Sequence, residues 1–379
     1  MKKISGHRIG TTLFGYILTE LLLYCFVSFL FFFVIFFVNN LLVTIQDNLI
    51  KNVSLPLIMK FFLYSVPIVV ANAAPYSAFI GALMCLGRFV GDSEFIALNA
   101  LGVSDKKMLF PVMTAALILG LLNFALNDFL IPYTAPKLNE VAEEMLRENP
   151  AMQIQSYAIK KSNNVIIASG KVEKNNIHDL VVIDMSAENG INFLSAKNTQ
   201  SRIAKNANVL MALEPLEPQL LVVDKNDFRT FDYAYGEKLT YHFLRSELEN
   251  NSFFSLGPGQ LSSYDLAKKI KTMRETQETS KEYLNWYALE FHKKFAIPLG
   301  AIFFIFLAYW LSRNLKLYNQ GVGFVIGLII SVGYWAILMF GQQLAVKKNF
   351  DGAVTAWLPN VLLLILGAAL MRKKLRGSL

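Results

Sequence analysis

Six long apolar runs, separated by shorter polar segments, organise this chain. Each reaches the roughly 18 uncharged residues that cross the hydrocarbon core of a bilayer as an α-helix. The pattern predicts a polytopic α-helical membrane protein with six transmembrane helices, three before and three after a long central segment. The runs are Leu21–Val38, Phe61–Gly87, Met108–Asn127, Phe295–Ser312, Gly321–Val346 and Ala353–Met371. Composition agrees, because only 17% of the residues are charged, against roughly 25% in soluble domains.

The central segment changes from long apolar runs to short ones that alternate with polar positions. Period-two alternation and breakers rich in Asn and Gly predict β-strands, and many short strands of this kind predict an extracytoplasmic all-β sandwich or jelly roll. Eight strands are predicted, at Gln153–Ile159, Asn164–Ala168, Leu180–Met185, Asn192–Ala196, Val209–Leu213, Leu220–Val223, Phe228–Tyr233 and Lys238–Phe243. After them, the capping-box sequence that starts at Ser262 predicts a helix over Tyr264–Met273.

These patterns divide the chain into three parts. Residues 1–133 hold transmembrane helices one to three, residues 134–290 form the β-jelly-roll domain with flanking helical linkers, and residues 291–379 hold helices four to six. Both cysteines, Cys25 and Cys85, lie in the apolar runs. The β domain therefore has no disulfides, and the thiols are predicted to be small buried apolar groups.

The net charge of +8 is concentrated at the ends of the apolar runs. Lys and Arg at such positions set orientation, because they favour the cytoplasmic side. With the N-terminus inside, twelve basic residues fall in inside segments and four in short outside loops, which predicts cytoplasmic termini and argues against nucleic acid as a partner. The inside residues are Lys2, Lys3, Arg8, Arg88, Lys106, Lys107, Arg313, Lys316, Arg372, Lys373, Lys374 and Arg376; the outside residues are Lys51, Lys60, Lys347 and Lys348.

A short polar segment, Arg88–Ser104, joins the second and third runs. Asp92 or Ser93 can cap a helix start, and Gly102 can end it in a left-handed conformation. The segment thus predicts an amphipathic helix over Ser93–Leu101, which suits a permease that takes force from a cytoplasmic motor. An ordinary loop helix packed on its own bundle is an equal alternative. The predicted apolar face is Phe95, Leu98 and Leu101, and the polar face is Ser93, Glu94 and Asn99.

Motifs for catalysis, nucleotide hydrolysis and metal binding are missing from the sequence. The four histidines are scattered, and no H-E-x-x-H, G-x-S-x-G or Walker motif occurs,. No apolar run carries a charge near its centre, as ion-coupled transporters require. We therefore predict a non-catalytic chain that binds no metal or cofactor, so that transport would need an outside source of energy.

Three further features are candidates for contact with lipid. The first run is rich in Phe, with bilayer lipid as the default contact, and the second holds two prolines that can kink a membrane helix or serve packing alone. Before the fourth run, Lys293 and Lys294 can meet lipid phosphates as flexible cations. Glu290 is spaced to pair with Lys294 across one turn. Simple anchoring of the span end is the alternative for this last group.

Two segments resemble motifs of the LptF/LptG (YjgP/YjgQ) permease family. GRFVGDSEFIALNALGVS is similar to its G-R-L-x-x-x-S-E-hydrophobic-x-A-x-x-A-x-G-hydrophobic-S pattern, between spans two and three. YALEFHKKFAIPLG is similar to its E-hydrophobic-H-R/K-R/K-hydrophobic-A-hydrophobic-P pattern, before span four. The order of three spans, a β domain and three spans is the family architecture over essentially the whole chain. Asn99 stands where the family pattern has a basic residue, and Lys51 is the first basic residue after span one.

The resemblance implies a permease subunit of an ATP-driven exporter that extracts lipopolysaccharide, or a related glycolipid, from the bacterial inner membrane and passes it to a periplasmic bridge. Implied partners are a second LptF/LptG-type permease, an LptB-type ATPase dimer that binds ATP and magnesium, and LptC/LptA-type periplasmic β-jelly-roll proteins. Implied ATPase-coupling residues are Arg88, Ser93, Glu94, Phe95, Ala97, Leu98, Ala100 and Gly102. Implied lipid-cavity residues are Phe26, Phe29, Phe33, Pro67, Pro75 and Tyr334. The membrane-interface motif is Glu290, His292, Lys293, Lys294 and Pro298.

Two other classes of protein remain as alternatives. A mechanotransmitting permease that moves no lipid has four spans with its large domain after the first, so six predicted spans argue against it. A membrane-anchored receptor or scaffold would use the β domain to bind a ligand and the spans only as anchors. A receptor needs neither two prolines in one span nor a capped cytoplasmic helix.

Overall fold

A computed structural model describes most of the chain. The described residues are 6–46, 53–148, 157–162, 165–173, 176–185, 190–203, 209–225, 229–237, 239–244, 256–276, 281–315, 319–348 and 350–376. Their α-helices are α1 (Gly6–Gln46), α2 (Leu55–Gly91), α3 (Glu94–Ala100), α4 (Asp105–Ala125), α5 (Ile131–Glu148), α6 (Ser263–Thr276), α7 (Lys281–Leu315), α8 (Gln320–Lys347) and α9 (Gly352–Arg376). A π-helix, Leu126–Leu130, joins α4 to α5, and a 3-10 helix, Pro258–Gln260, precedes α6.

Six spans are long and apolar enough to cross a membrane, which confirms the predicted number and order. The third is longer than predicted, because the helix does not end near Asn127. It continues through the π-helix into α5, so the candidate span covers Asp105–Met145. Pro132 lies just after the π-helix and does not end the span.

Residues Met1–Val38, Val66–Tyr133 and Pro258–Leu379 form one compact unit, a helical bundle. The middle of α2 lies in its core, where two glycines allow neighbouring backbones to approach. A Cβ on Gly81 would lie 2.5 Å from the Cα of Cys25 on α1, and a Cβ on Gly323 of α8 would lie 2.8 Å from the Leu83 carbonyl oxygen. Both cysteines are buried free thiols, as predicted.

Residues Asn39–Ser65 and Thr134–Gly257 form the second unit, which contains the inserted antiparallel sheet. All eight predicted strands have a counterpart, although residues 153–156, 164, 228 and 238 of the predicted strands lie outside the described residues. The two-residue β3 was not predicted. The strands are β1 (Ala158–Ser162), β2 (Val165–Ser169), β3 (Val172–Glu173), β4 (Asn176–Asp184), β5 (Gly190–Ile203), β6 (Val209–Leu216), β7 (Gln219–Asp224), β8 (Phe231–Tyr235) and β9 (Tyr241–Leu244).

The longest strand, β5, organises the sheet. It pairs with β4 along one edge, while its other edge is shared between β7 at residues 190–195 and β6 at residues 198–203. The two halves of β5 therefore pair with different strands of the one sheet. The prediction captured only Asn192–Ala196, because the second half of β5 turns Thr199 and Ser201 inward instead of apolar side chains.

Candidate functional site

Helix α3 occupies the segment between α2 and α4, as predicted, and its C-terminus has the expected geometry. Gly102 has φ +79°. The Val103 N–H donates to the Leu98 carbonyl at 3.0 Å, and the Gly102 N–H donates to the Asn99 carbonyl at 2.9 Å. These two bonds form a Schellman motif, in which glycine is favoured because the left-handed conformation strains other residues. The prediction that Gly102 ends the helix in a left-handed conformation is confirmed.

The N-terminus of α3 differs from the prediction. Ser93 is the N-cap by position, but its side chain makes no capping hydrogen bond. Its backbone is left-handed, with φ 58°, whereas side-chain capping normally needs an extended N-cap residue. The Ser93 carbonyl instead accepts from the N–H groups of Ile96 and Ala97.

Glu94 connects α3 to α1 and α2 and does not belong to an exposed polar face. The Tyr16 hydroxyl donates to both of its carboxylate oxygens, at 3.1 and 3.2 Å. The guanidinium of Arg88 lies 3.7 Å from the same carboxylate, donates to the Tyr16 hydroxyl at 3.0 Å and lies 3.4 Å from Glu20. The predicted polar face is therefore wrong for Glu94, because a cation and a phenol on neighbouring helices draw it into the bundle.

Phe95 connects α3 to α7. Its buried ring lies edge-on to Phe89 at 5.8 Å and to Tyr309 at 6.0 Å. The guanidinium of Arg313 stands 4.8 Å from the Phe95 ring centroid and forms a 2.8 Å ion pair with Asp105, the first residue of α4. Arginine suits this position because it can stack on an aromatic ring and pair with a carboxylate at once.

Asn99 also reaches Arg313. With its amide oriented so that both ends are satisfied, its oxygen accepts from Arg313 at 3.1 Å and its nitrogen donates to the Val103 carbonyl at 3.1 Å. Amide orientation is assigned from the hydrogen bonds around it. The position that is basic in the family pattern thus contacts a basic side chain of α7 here.

The face of α3 that points away from the bundle carries exposed apolar side chains. Ile96 is 70% exposed and Leu101 is 80% exposed. Ala97 and Ala100 are exposed beside them, while Leu98 is half-buried. The predicted grouping of Phe95 with Leu101 on one face is wrong, because Phe95 points inward and Leu101 outward. A clustered apolar surface of this kind is typical of an interaction site.

Four residues in the contact networks of Glu94 and Phe95 were not among the sequence-based candidates: Tyr16, Glu20, Asp105 and Arg313. They form two pairs, and the sequence carried a usable signal for each pair. Tyr16 and Glu20 are four residues apart, which places them on one face of a helix. Arg313 directly follows the uncharged fourth run, and Asp105 opens the third helix. Only the fold shows that one member of each pair, Tyr16 or Arg313, contacts α3.

The membrane-interface motif lies entirely within α7. Glu290 pairs with Lys293 at 2.7 Å and not with Lys294, which corrects the predicted pair. Lys294 is 3% exposed and donates to the main-chain carbonyl of Asn127 in the π-helix. It lies on the side of α7 that faces the bundle, together with the buried Pro298, while His292 is half-buried.

The lipid-cavity candidates do not come together on one surface of this chain. Phe26 is exposed, and Phe29 and Phe33 are half-buried with ring centroids 5.9 Å apart. Pro67, Pro75 and Tyr334 are buried. The Tyr334 hydroxyl donates to the side-chain oxygen of Asn360 at 3.1 Å, within the bundle core.

Comparison with known proteins gives a consistent match over nearly the whole chain. Residues 15–373 match the family model described as lipopolysaccharide export system permease LptF/LptG. The chain is also similar to lipopolysaccharide export system permease protein LptG of Haemophilus influenzae. The two are 20% identical over 309 residues, covering 79% of this chain and 81% of that protein.

Proposed function

Because this chain belongs to the LptF/LptG family of lipopolysaccharide export permeases, we propose that it is the membrane subunit of an ATP-driven exporter. Family membership makes it a permease of lipopolysaccharide export, and the family together with the six apolar helices supports a place in the inner membrane. In the proposed cycle it extracts lipopolysaccharide, or a related glycolipid, from the membrane and delivers it to periplasmic β-jelly-roll proteins. ATP and magnesium bind to a partner ATPase dimer and not to this chain.

The exposed apolar face of α3 is the observation that carries this proposal. Ile96 and Leu101 supply apolar surface for docking in a short helix that two spans hold at one end of the bundle. The opposite side of α3 is bound to three long helices through Glu94 and Phe95. A push on the outer face would therefore be transmitted directly into α1, α2 and α7.

Orientation follows from the same proposal. The ATPase is cytoplasmic, so the α3 end of the bundle and both termini face the cytoplasm and the β domain faces the periplasm. The basic residues Lys373, Lys374 and Arg376 in the last turn of α9 support this orientation, because such clusters favour the cytoplasmic side.

The lipid path is assigned to the exposed apolar faces of α1 and α8. Phe26 and Phe31 on α1 and Val325 and Trp335 on α8 are exposed in the single chain. A second LptF/LptG-type permease packed beside these helices would enclose a cavity with apolar walls for acyl chains. Motion of α1, received from α3 through Tyr16, would then change the width of that cavity.

The proposal is tested by co-purification from native membranes, with mass spectrometry of the bound proteins and lipids. We expect a second permease of this type, an ATPase subunit and an acylated glycolipid. Ile96→Asp together with Leu101→Asp should reduce the recovered ATPase at least tenfold, because docking would bury two carboxylates without partners. Ile159→Asp, at an exposed apolar position of the β domain, is the matched control and should leave ATPase recovery unchanged.

Recovery of the chain alone, with only bulk phospholipid, would contradict the proposal and favour a receptor or scaffold. Equal ATPase recovery from the double variant and the control would contradict docking on α3. The lipid assignment would still be tested by the identity of the bound lipid. The bound lipid and the bound ATPase thus test separate parts of the proposal.

A further inference from the structure

A half-open cavity of about 250 Å³ lies in the bundle, away from α3. Its wall is formed by five elements: α2, the π-helix, the start of α5, the 3-10 helix Pro258–Gln260, and α7. One part of the wall is apolar and the rest carries amides, a carboxylate and two ammonium groups. The lining residues are Ile68, Asn72, Asn127, Ile131, Gly259, Gln260, Glu290, Lys293, Lys294 and Ile297.

Lys294 is the most unusual member of this wall. It is 3% exposed, yet its hydrogen bond goes to a neutral acceptor, the main-chain carbonyl of Asn127. Among the residues that the structure describes, no carboxylate forms an ion pair with it. An ammonium has three N–H donors, and a buried charge is costly unless it is paired. Lys294 therefore retains donors and charge for a ligand.

The carboxylates whose charges act on Lys294 are Asp128 and Glu290, and both are engaged elsewhere. The two oxygens of Asp128 accept from the backbone N–H and the hydroxyl of Ser263, at 2.7 and 3.0 Å, which holds the start of α6. Glu290 accepts from Lys293 at 2.7 Å. Lys293 brings a second ammonium to the same cavity, and it also contacts Gln342 at 3.5 Å.

The position of the cavity along α7 fits a group at the membrane boundary. Lys294 directly precedes the uncharged run Phe295–Ser312, so its ammonium lies where the hydrocarbon region gives way to headgroups. Ile68, Ile131 and Ile297 form the apolar part of the lining. This combination suits an anion that carries an ester-linked hydrocarbon portion.

We propose that this cavity binds a phosphate group through Lys294 and Lys293, with the isoleucine wall against the carbon atoms next to the phosphate ester. The π-helix is part of the site, because its irregular backbone presents the Asn127 carbonyl that holds the Lys294 ammonium in place. The site is separate from the exposed faces of α1 and α8. It does not rest on the proposed export function, since binding needs neither an ATPase nor a second permease.

The test is equilibrium binding to the purified full-length chain in detergent, with two probes, short-chain phosphatidylglycerol and inorganic phosphate. We expect saturable binding of at least one probe. Lys294→Gln should weaken it at least tenfold, as expected when a charge-assisted hydrogen bond is lost. Glu290→Gln should strengthen it severalfold, because it removes the carboxylate charge that pairs with Lys293 and would repel a phosphate. Lys348→Gln, at an exposed lysine on α8's C-terminal side, is the matched control and should stay within twofold.

The two probes distinguish the sources of phosphate. Saturation by phosphatidylglycerol without competition from inorganic phosphate identifies a lipid headgroup, whereas competition by inorganic phosphate identifies a site for the free anion. Both results support the proposal. It is overturned if neither probe saturates, or if Lys294→Gln and Lys348→Gln bind equally. Because Glu290→Gln is expected to act in the opposite direction, a folding defect in Lys294→Gln cannot imitate the full pattern.

Discussion

Arg313 and Lys294 are buried cations on the same helix, 19 residues apart along α7, which corresponds to about 28 Å of helix. Arg313 is 5% exposed in its side chain and faces the Asp105 carboxylate at 2.8 Å. Lys294 is buried as deeply but faces a main-chain carbonyl. One end of the bundle therefore neutralises its buried charge internally, and the other does not.

The difference indicates different roles for the two ends. A charge pair that is satisfied within the fold joins helices and can pass movement between them, as Arg313 and Asp105 do for α7 and α4. An ammonium without a counter-charge contributes less to the fold and keeps the capacity to bind an anion. Buried ion pairs are costly to break because the remaining charge is left without a partner. The comparison therefore predicts effects of different size at the two ends.

The largest effect on stability is expected from Asp105→Asn. It leaves Arg313 buried without an anion, and we expect the free energy of unfolding to fall by about 3 kcal/mol. Thermal unfolding of the purified chain in detergent measures this loss. Adding Arg313→Met should recover part of it, because the stranded charge is then removed as well.

Glu214→Gln is the matched control for that loss. It breaks the 3.3 Å ion pair between Glu214 on β6 and Arg202 on β5, whose side chains are 37% and 63% exposed. An exposed pair contributes less than about 1 kcal/mol. Losses of the same size in Asp105→Asn and Glu214→Gln would mean that burial of Arg313 does not require the Asp105 carboxylate. The contrast between the two ends of α7 would then fail.

An intermediate effect is expected from Gly102→Ala. Because Gly102 is left-handed at φ +79°, a Cβ there costs about 1–2 kcal/mol, and the Schellman end of α3 should fray. The expected result is a severalfold loss of co-purified ATPase at unchanged expression. Gly333→Ala is the control, since a Cβ at Gly333 meets nothing within 4 Å. Equal ATPase recovery from both variants would show that docking does not need an intact α3.

The sequence predicted the spans, the β domain and the position of α3 because long apolar runs, period-two alternation and a helix-ending glycine are local signals. It did not predict the partners of α3. The contacts of Glu94 with Tyr16 and of Phe95 with Arg313 join residues 78 and 218 positions apart. Similarly, nothing near Asn127 in the sequence signals a π-helix whose carbonyl would hold Lys294. Helix periodicity alone could not assign Glu94 or Leu101 to the correct face, because each side of α3 mixes polar and apolar side chains.

The smallest stability effect is expected from Tyr16→Phe, which sharpens the distinction between stabilising and transmitting contacts. Tyr16 is 41% exposed, so water can replace its hydroxyl as a partner of Glu94 and Arg88. We expect the free energy of unfolding to change by less than about 1 kcal/mol. In the reconstituted exporter, however, the amount of lipid released per ATP hydrolysed should fall severalfold, because the hydroxyl joins α3 to α1.

Tyr264→Phe, at an exposed tyrosine of α6, is the control. Unchanged lipid release in Tyr16→Phe would assign transmission to the aromatic contacts of Phe95 instead, because α7 would then be the helix that receives the movement of α3.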